Sequence, residues 1–123
     1  MVPATRIFDT KHNIIEIVWT QNAQPDDIDK ITNEIKEFTK SMNGKFDVIV
    51  DFRNVKAFPP ESQAKLVEHQ KSLLEFGMHR AAVIVSGVVA KLQLNRSAKQ
   101  SEHNTESHFN SYEEALEFLR GTN

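Results

Sequence analysis

Two short apolar runs constrain this chain most, FDVIVDF at 46–52 and AAVIVS at 81–86. Neither alternates polar with apolar residues. Each therefore reads as a strand covered on both faces, the environment of a parallel sheet with helices packed against it. Helical patterns stand beside them. In QPDDIDKITNEIKEFTKSMNGK, Ile28, Ile31, Ile35, Phe38 and Met42 fall on one stripe, with Pro25, Asp26 and Asp27 marking its start and Gly44 its end. Pro59 and Pro60 precede a second helix, with Leu66, Val67, Leu73 and Leu74 inward and Gly77 as the stop.

Upstream, TRIFDT (5–10) and IIEIVWT (14–20) are rich in β-branched and aromatic residues, and KHN between them reads as a hairpin turn. Trp19, at the end of the second run, is read as core. Downstream, GVVAKLQLNRSAKQ (87–100) places Val88, Val89, Leu92 and Ala98 on a helical face, and the polar stretch 99–107 reads as a loop. ESHFN allows an edge strand around His108 and Phe109. SYEEALEFL begins with Ser111 and Glu114 at capping-box spacing and buries Ala115, Leu116, Phe118 and Leu119. The resulting order, β-β-α-β-α-β-α-β-α, predicts an α/β fold in a single domain over 1–123. Its sheet is mostly parallel, with the first strand added antiparallel at one edge.

Composition bounds the function. Hydrophobic residues make up 39% and charged residues 26%, as in globular proteins that bury one core. A net charge of −2 argues against a phosphate-binding footprint, so nucleic acid is not an expected partner. No apolar run approaches the roughly 20 residues needed to span a bilayer. MVPATRIFDTKHN lacks the apolar stretch of a secretory signal, which makes the cytoplasm the default compartment. Zero cysteines exclude disulfides, thiolate metal sites and cysteine nucleophiles.

The residues that could carry chemistry are few. The glycines are scattered singly, so no phosphate-cradling loop is expected. Ser86-Gly87 stands where a strand yields to a helix, either as an anion-attracting N-terminus or as a plain turn. Among His12, His69, His79, His103 and His108 no pair has the i, i+4 spacing of a helical metal site, and solvated or half-buried roles are expected. Asp26 and Asp27 suit the positive end of a helix. Asp47 is placed at the exposed start of its strand. Asp51 interrupts an apolar run at the carboxyl end of a parallel strand, where ligands gather in open sheets, or else bonds the following turn. Lys91, Arg96 and Lys99 make the 87–100 helix basic, read as its wet face. No catalytic set or cofactor is expected from these residues.

The stretch VIVDFRNVKAF resembles the third-strand signature of the STAS domain, the fold of bacterial anti-sigma-factor antagonists and sulphate-transporter tails. The ending HFNSYEEALEFL is similar to the close of SpoIIAA-like relatives, which share their fold with lipid-carrying CRAL-TRIO domains. The family opens its second helix with Asp-Ser-(Ser/Thr)-Gly. Here Pro59, Pro60, Glu61 and Ser62 stand in those places, so the phosphorylatable position falls on Glu61. Ser62 is then either a displaced phosphosite or an ordinary first-turn serine. The resemblance implies a non-catalytic regulatory or scaffold domain. It would bind a partner protein through an edge made by Lys56, Phe58, Glu61 and Ser62 with Ser86, Gly87 and Val88. The competing expectation is a small carrier for a lipid or other apolar ligand, and a sheet face left bare would invite a homodimer.

Overall fold

The computed structural model describes residues 2–55, 58–86 and 106–121. The elements are β1 (Ala4–Asp9), β2 (Ile14–Val18), α1 (Pro25–Thr39), β3 (Phe46–Asp51), α2 (Pro60–Phe76), β4 (Met78–Ile84), β5 (Glu106–Phe109) and α3 (Tyr112–Leu119). The five strands form one sheet in the order β1-β2-β3-β4-β5. β1 pairs antiparallel with β2 and every later pairing is parallel, so the α/β class with an antiparallel edge stands. The helix expected at 87–100, its basic residues Lys91, Arg96 and Lys99, His103, and the site residues Lys56, Gly87 and Val88 lie outside the described residues.

The sheet buries both faces, as the unalternating runs require. On one face Ile15, Ile17, Val48, Val50, Ala81 and Val83 pack with Ile28, Ile31 and Ile35 of α1 and Leu66 and Leu73 of α2. On the other, Ile14, Ile49, Ala82 and Ile84 pack with Ala115 and Leu119 of α3. The second face is therefore not bare where α3 crosses it.

Local signals explain most element ends. Asp27 reaches back to accept the Gln24 amide at 2.9 Å, and the Ile28 amide donates to the Gln24 carbonyl to close the first turn of α1. The α1 helix stops at Thr39, ahead of Gly44. Phe38 is half-buried, and Met42 packs inward from the turn that follows. Gly77 ends α2 in a left-handed conformation with φ of 111°, and β4 begins at the next residue, earlier than the apolar run suggested. The Gly77 amide donates to Leu74, and the Phe46 amide donates to the Gly77 carbonyl. A Cβ at Gly77 would overlap the Gly44 carbonyl oxygen, so glycine is required there. Ser111 Oγ accepts the Glu114 amide at 3.2 Å, while Glu114 returns to the Asn110 amide, one residue earlier than a standard capping box.

The inner face of α2 corrects the sequence reading. Val67 and Leu74 are only half-buried, whereas Ser62, His69 and Gln70 are buried beside Leu66 and Leu73. Neither a solvated nor a half-buried role fits His69. It is 4% exposed, bonds through Nδ1 to Thr32 Oγ1 at 2.8 Å, and meets the Trp19 ring edge-on at 5.3 Å. Asp47 is not an exposed strand start either. It is buried because Arg80 encloses it, donating from its amide at 3.0 Å and from Nη2 at 2.9 Å. A buried carboxylate needs such partners to offset desolvation.

Candidate functional site

The carboxyl ends of β2, β3 and β4 meet at one edge. The ladder continues past the strands there: Trp19 N donates to Asp51 O, Phe52 N to Ile84 O and Val85 N to Phe109 O. At the tip of β3, Asp51 accepts the Arg53 amide at 3.1 Å, and the Arg53 guanidinium grips both its oxygens at 3.0 Å. The expectation that Asp51 bonds the following turn is met. Burial alone would push the Asp51 carboxyl up, but Arg53 outweighs it and holds the group below the usual carboxylate range. Ser86 Oγ donates to the Arg53 carbonyl at 3.0 Å, tying the end of β4 to this turn.

Arg53 also lies over the Tyr112 ring, 5.2 Å from its centroid. The Tyr112 hydroxyl donates to Glu16 Oε2 at 2.8 Å, and Glu16 Oε1 accepts Arg6 Nε at 2.6 Å. Arg6 and Glu16 are directly opposite in the β1–β2 register. Burial and the adjacent Glu16 carboxylate push the Tyr112 hydroxyl well above its ordinary range. These carboxylates and the phenol are thus committed to one another, and together they fasten α3 to the sheet. Sequence reasoning missed Arg53, Arg6 and Tyr112. The one signal was Glu16, a charge set in the middle of an apolar strand.

Beneath the edge lies an aromatic floor. Trp19 and Phe58 meet edge-on at 6.0 Å, and Phe52 and Phe58 at 5.2 Å. Phe58 is 4% exposed, so it supports the edge from inside and presents no surface to a partner. Pro59 and Pro60 then fix the start of α2, with Pro59 at φ −60°. Glu61 is exposed in the first turn. Ser62 points the opposite way. It is 1% exposed, and its hydroxyl donates to the Ala23 carbonyl at 2.8 Å, so it too is removed from the accessible edge.

Of the seven residues expected at the site, the exposed ones among those described are Glu61 and Ser86. Arg53, Asn54, Pro59 and Pro60 share their exposure. Beside them is an open cleft of about 210 Å³ lined by Thr20, Gln21, Asn22 and Asn54. Thr20 Oγ1 is buried at this cleft with no hydrogen-bond partner. Among the described residues, no group of three or more His, Asp and Glu side chains is placed to hold a metal ion, and no helix is long and apolar enough to cross a membrane.

A comparison with solved structures finds a similar fold in the protein TM1081, determined by NMR. The TM-score is 0.60 at 13% identity, over 96% of this chain and 88% of that one. No protein-family model and no curated protein matches the sequence. At that identity, the likeness concerns the fold.

Proposed function

We propose that this chain is a non-catalytic regulatory or scaffold domain of the STAS type, which docks a partner protein on the carboxyl edge of its sheet. The observation that carries the reading is the division at the start of α2. The acidic Glu61 faces out, while the Ser62 hydroxyl is sealed against Ala23. The edge is polar, braced by Arg53 and Ser86, and rigid at its two prolines, which suits recognition without ordering cost. Asp51 and Glu16 are occupied by structural partners, which supports a binding role over catalysis. A carrier of apolar ligands has less support. The space between α2 and the sheet, lined in part by Trp19, Val50, Leu66, His69 and Leu73, is about 30 Å³, room for a water molecule and not an acyl chain.

The test is capture from a lysate of the source cells on the immobilised protein, compared with Glu61→Lys and Asn54→Arg variants of verified fold. The reading expects one protein retained by the parent and lost by both edge variants. Retention that ignores both substitutions, or a copurifying lipid in the mass spectrum of the denatured protein, would overturn it.

A further inference from the structure

The opposite edge of the sheet, away from the proposed docking surface, carries a second polar cleft. It is open, about 230 Å³, and lined by His12, Asn13, Lys45, Phe46, Asp47 and His79. It forms where the β1–β2 turn meets the starts of β3 and β4. Asn13, at φ 52°, turns the chain there and donates from Nδ2 to the Lys45 carbonyl at 3.3 Å.

Each histidine stands against a carboxylate. His12 Nδ1 is 2.9 Å from Asp9 Oδ2, and the His12 amide donates to Asp9 Oδ1. His79 Nδ1 is 3.7 Å from Asp47 Oδ1, at ion-pair and not hydrogen-bond distance. A carboxylate on Nδ1 stabilises an imidazolium and leaves Nε2–H as the donor on the far side of the ring. Both rings are reachable, at 37% and 51% side-chain exposure.

The charge count decides what such a cleft attracts. Asp9 is already paired with Arg120 at 3.1 Å and Asp47 with Arg80 at 2.9 Å, so each carboxylate is shared between an arginine and an imidazole. Among the described residues, the charged groups that line the cleft or pair with its carboxylates are Lys45, Arg80 and Arg120 against Asp9 and Asp47, which leaves one net positive charge with both rings neutral. Protonating both rings makes it three. Lys11, exposed in the same turn, adds to it. A divalent metal would meet net repulsion, whereas a small oxyanion would meet Lys45 and two imidazolium donors.

From this arrangement we infer that the His12–Lys45–His79 cleft is a binding site for a small tetrahedral dianion of the phosphate or sulfate type. The site is independent of the docking edge and of any partner bound there.

Sulfate is the probe, because it is a tetrahedral dianion. It is titrated into the full chain at about pH 6, with chloride holding ionic strength constant. The histidine Cε1–H signals are followed by NMR. The expected result is saturable movement of the His12 and His79 signals, while buried His69 and His108 on β5 stay still. Lys45→Gln and His79→Gln, both at exposed positions, should each weaken binding about two- to fivefold, the range an exposed ion pair contributes. No saturable movement, equal movement of all the histidines, or tighter binding of Zn²⁺ than of sulfate at these rings would each overturn the inference.

Discussion

Ser62 Oγ donates to the Ala23 carbonyl at 2.8 Å across 39 residues of sequence, joining the first turn of α2 to the loop before α1. Both residues are buried, so the bond cannot be exchanged for water. Ser62→Ala leaves the Ala23 carbonyl unpaired and is expected to cost about 1–3 kcal/mol. Ser62→Asp should cost more, because it adds an unpaired buried charge. Urea titration of both variants checks the order. Equal stability of Ser62→Asp and the parent would mean that the side chain turns outward in solution.

The Tyr112 hydroxyl secures α3 by donating to Glu16. Tyr112→Phe should destabilise the fold by about 1–3 kcal/mol, because a buried carboxylate loses a partner. Glu16→Gln together with Tyr112→Phe should cost less than the two single changes added, which a double-mutant cycle measures. Strict additivity would show that the two groups are uncoupled.

Two carboxylates set the acid limb of stability. At Asp9, burial pushes the carboxyl up, but the His12 amide and ring with Arg120 bring it down to about 2. Asp51 is likewise held low by Arg53. A depressed folded value contributes stability that is complete above the unfolded value near 3.9 and fades as pH falls through the folded one. Stability should therefore decline from about pH 4 towards about pH 2, and Asp9→Asn and Asp51→Asn should each flatten that decline. Melting temperature against pH gives the comparison. Superimposable acid limbs for parent and variants would contradict the assignment.

Gly77 and Gly44 both have positive φ, at 111° and 78°, yet they differ in surroundings. A Cβ at Gly44 meets nothing, whereas one at Gly77 overlaps backbone. Gly44→Ala should cost about 1–2 kcal/mol from conformation alone. Gly77→Ala should exceed it, because backbone must also move. Urea midpoints for the two variants decide it, and equal losses would refute the close approach.

What could be read in the sequence was what repeats along an element. The two unalternating runs gave buried parallel strands, and the isoleucine stripe gave α1. The face of α2 was half legible. Ser62, Leu66, His69 and Leu73 share one face by the helical period, but reading apolar residues alone turned the helix towards Val67 and Leu74. Pairings between distant segments left no local trace. Asp47 looks exposed until Arg80 arrives from 33 residues away, and Tyr112 reaches Glu16 across 96. Of the residues read as a partner-binding edge, Glu61 and Ser86 are exposed. Phe58 was misassigned because a loop aromatic carries no periodicity to show which way it faces.

The proposed docking edge is not a phosphorylation switch, with Glu61 outside and Ser62 sealed within. The most direct test treats the folded protein with serine kinases from its source and measures the intact mass, with peptide mapping of α2. The account expects no phosphate on Ser62 while the chain stays folded. Stoichiometric phosphate on Ser62 of the folded protein would contradict it and restore a switch at this position.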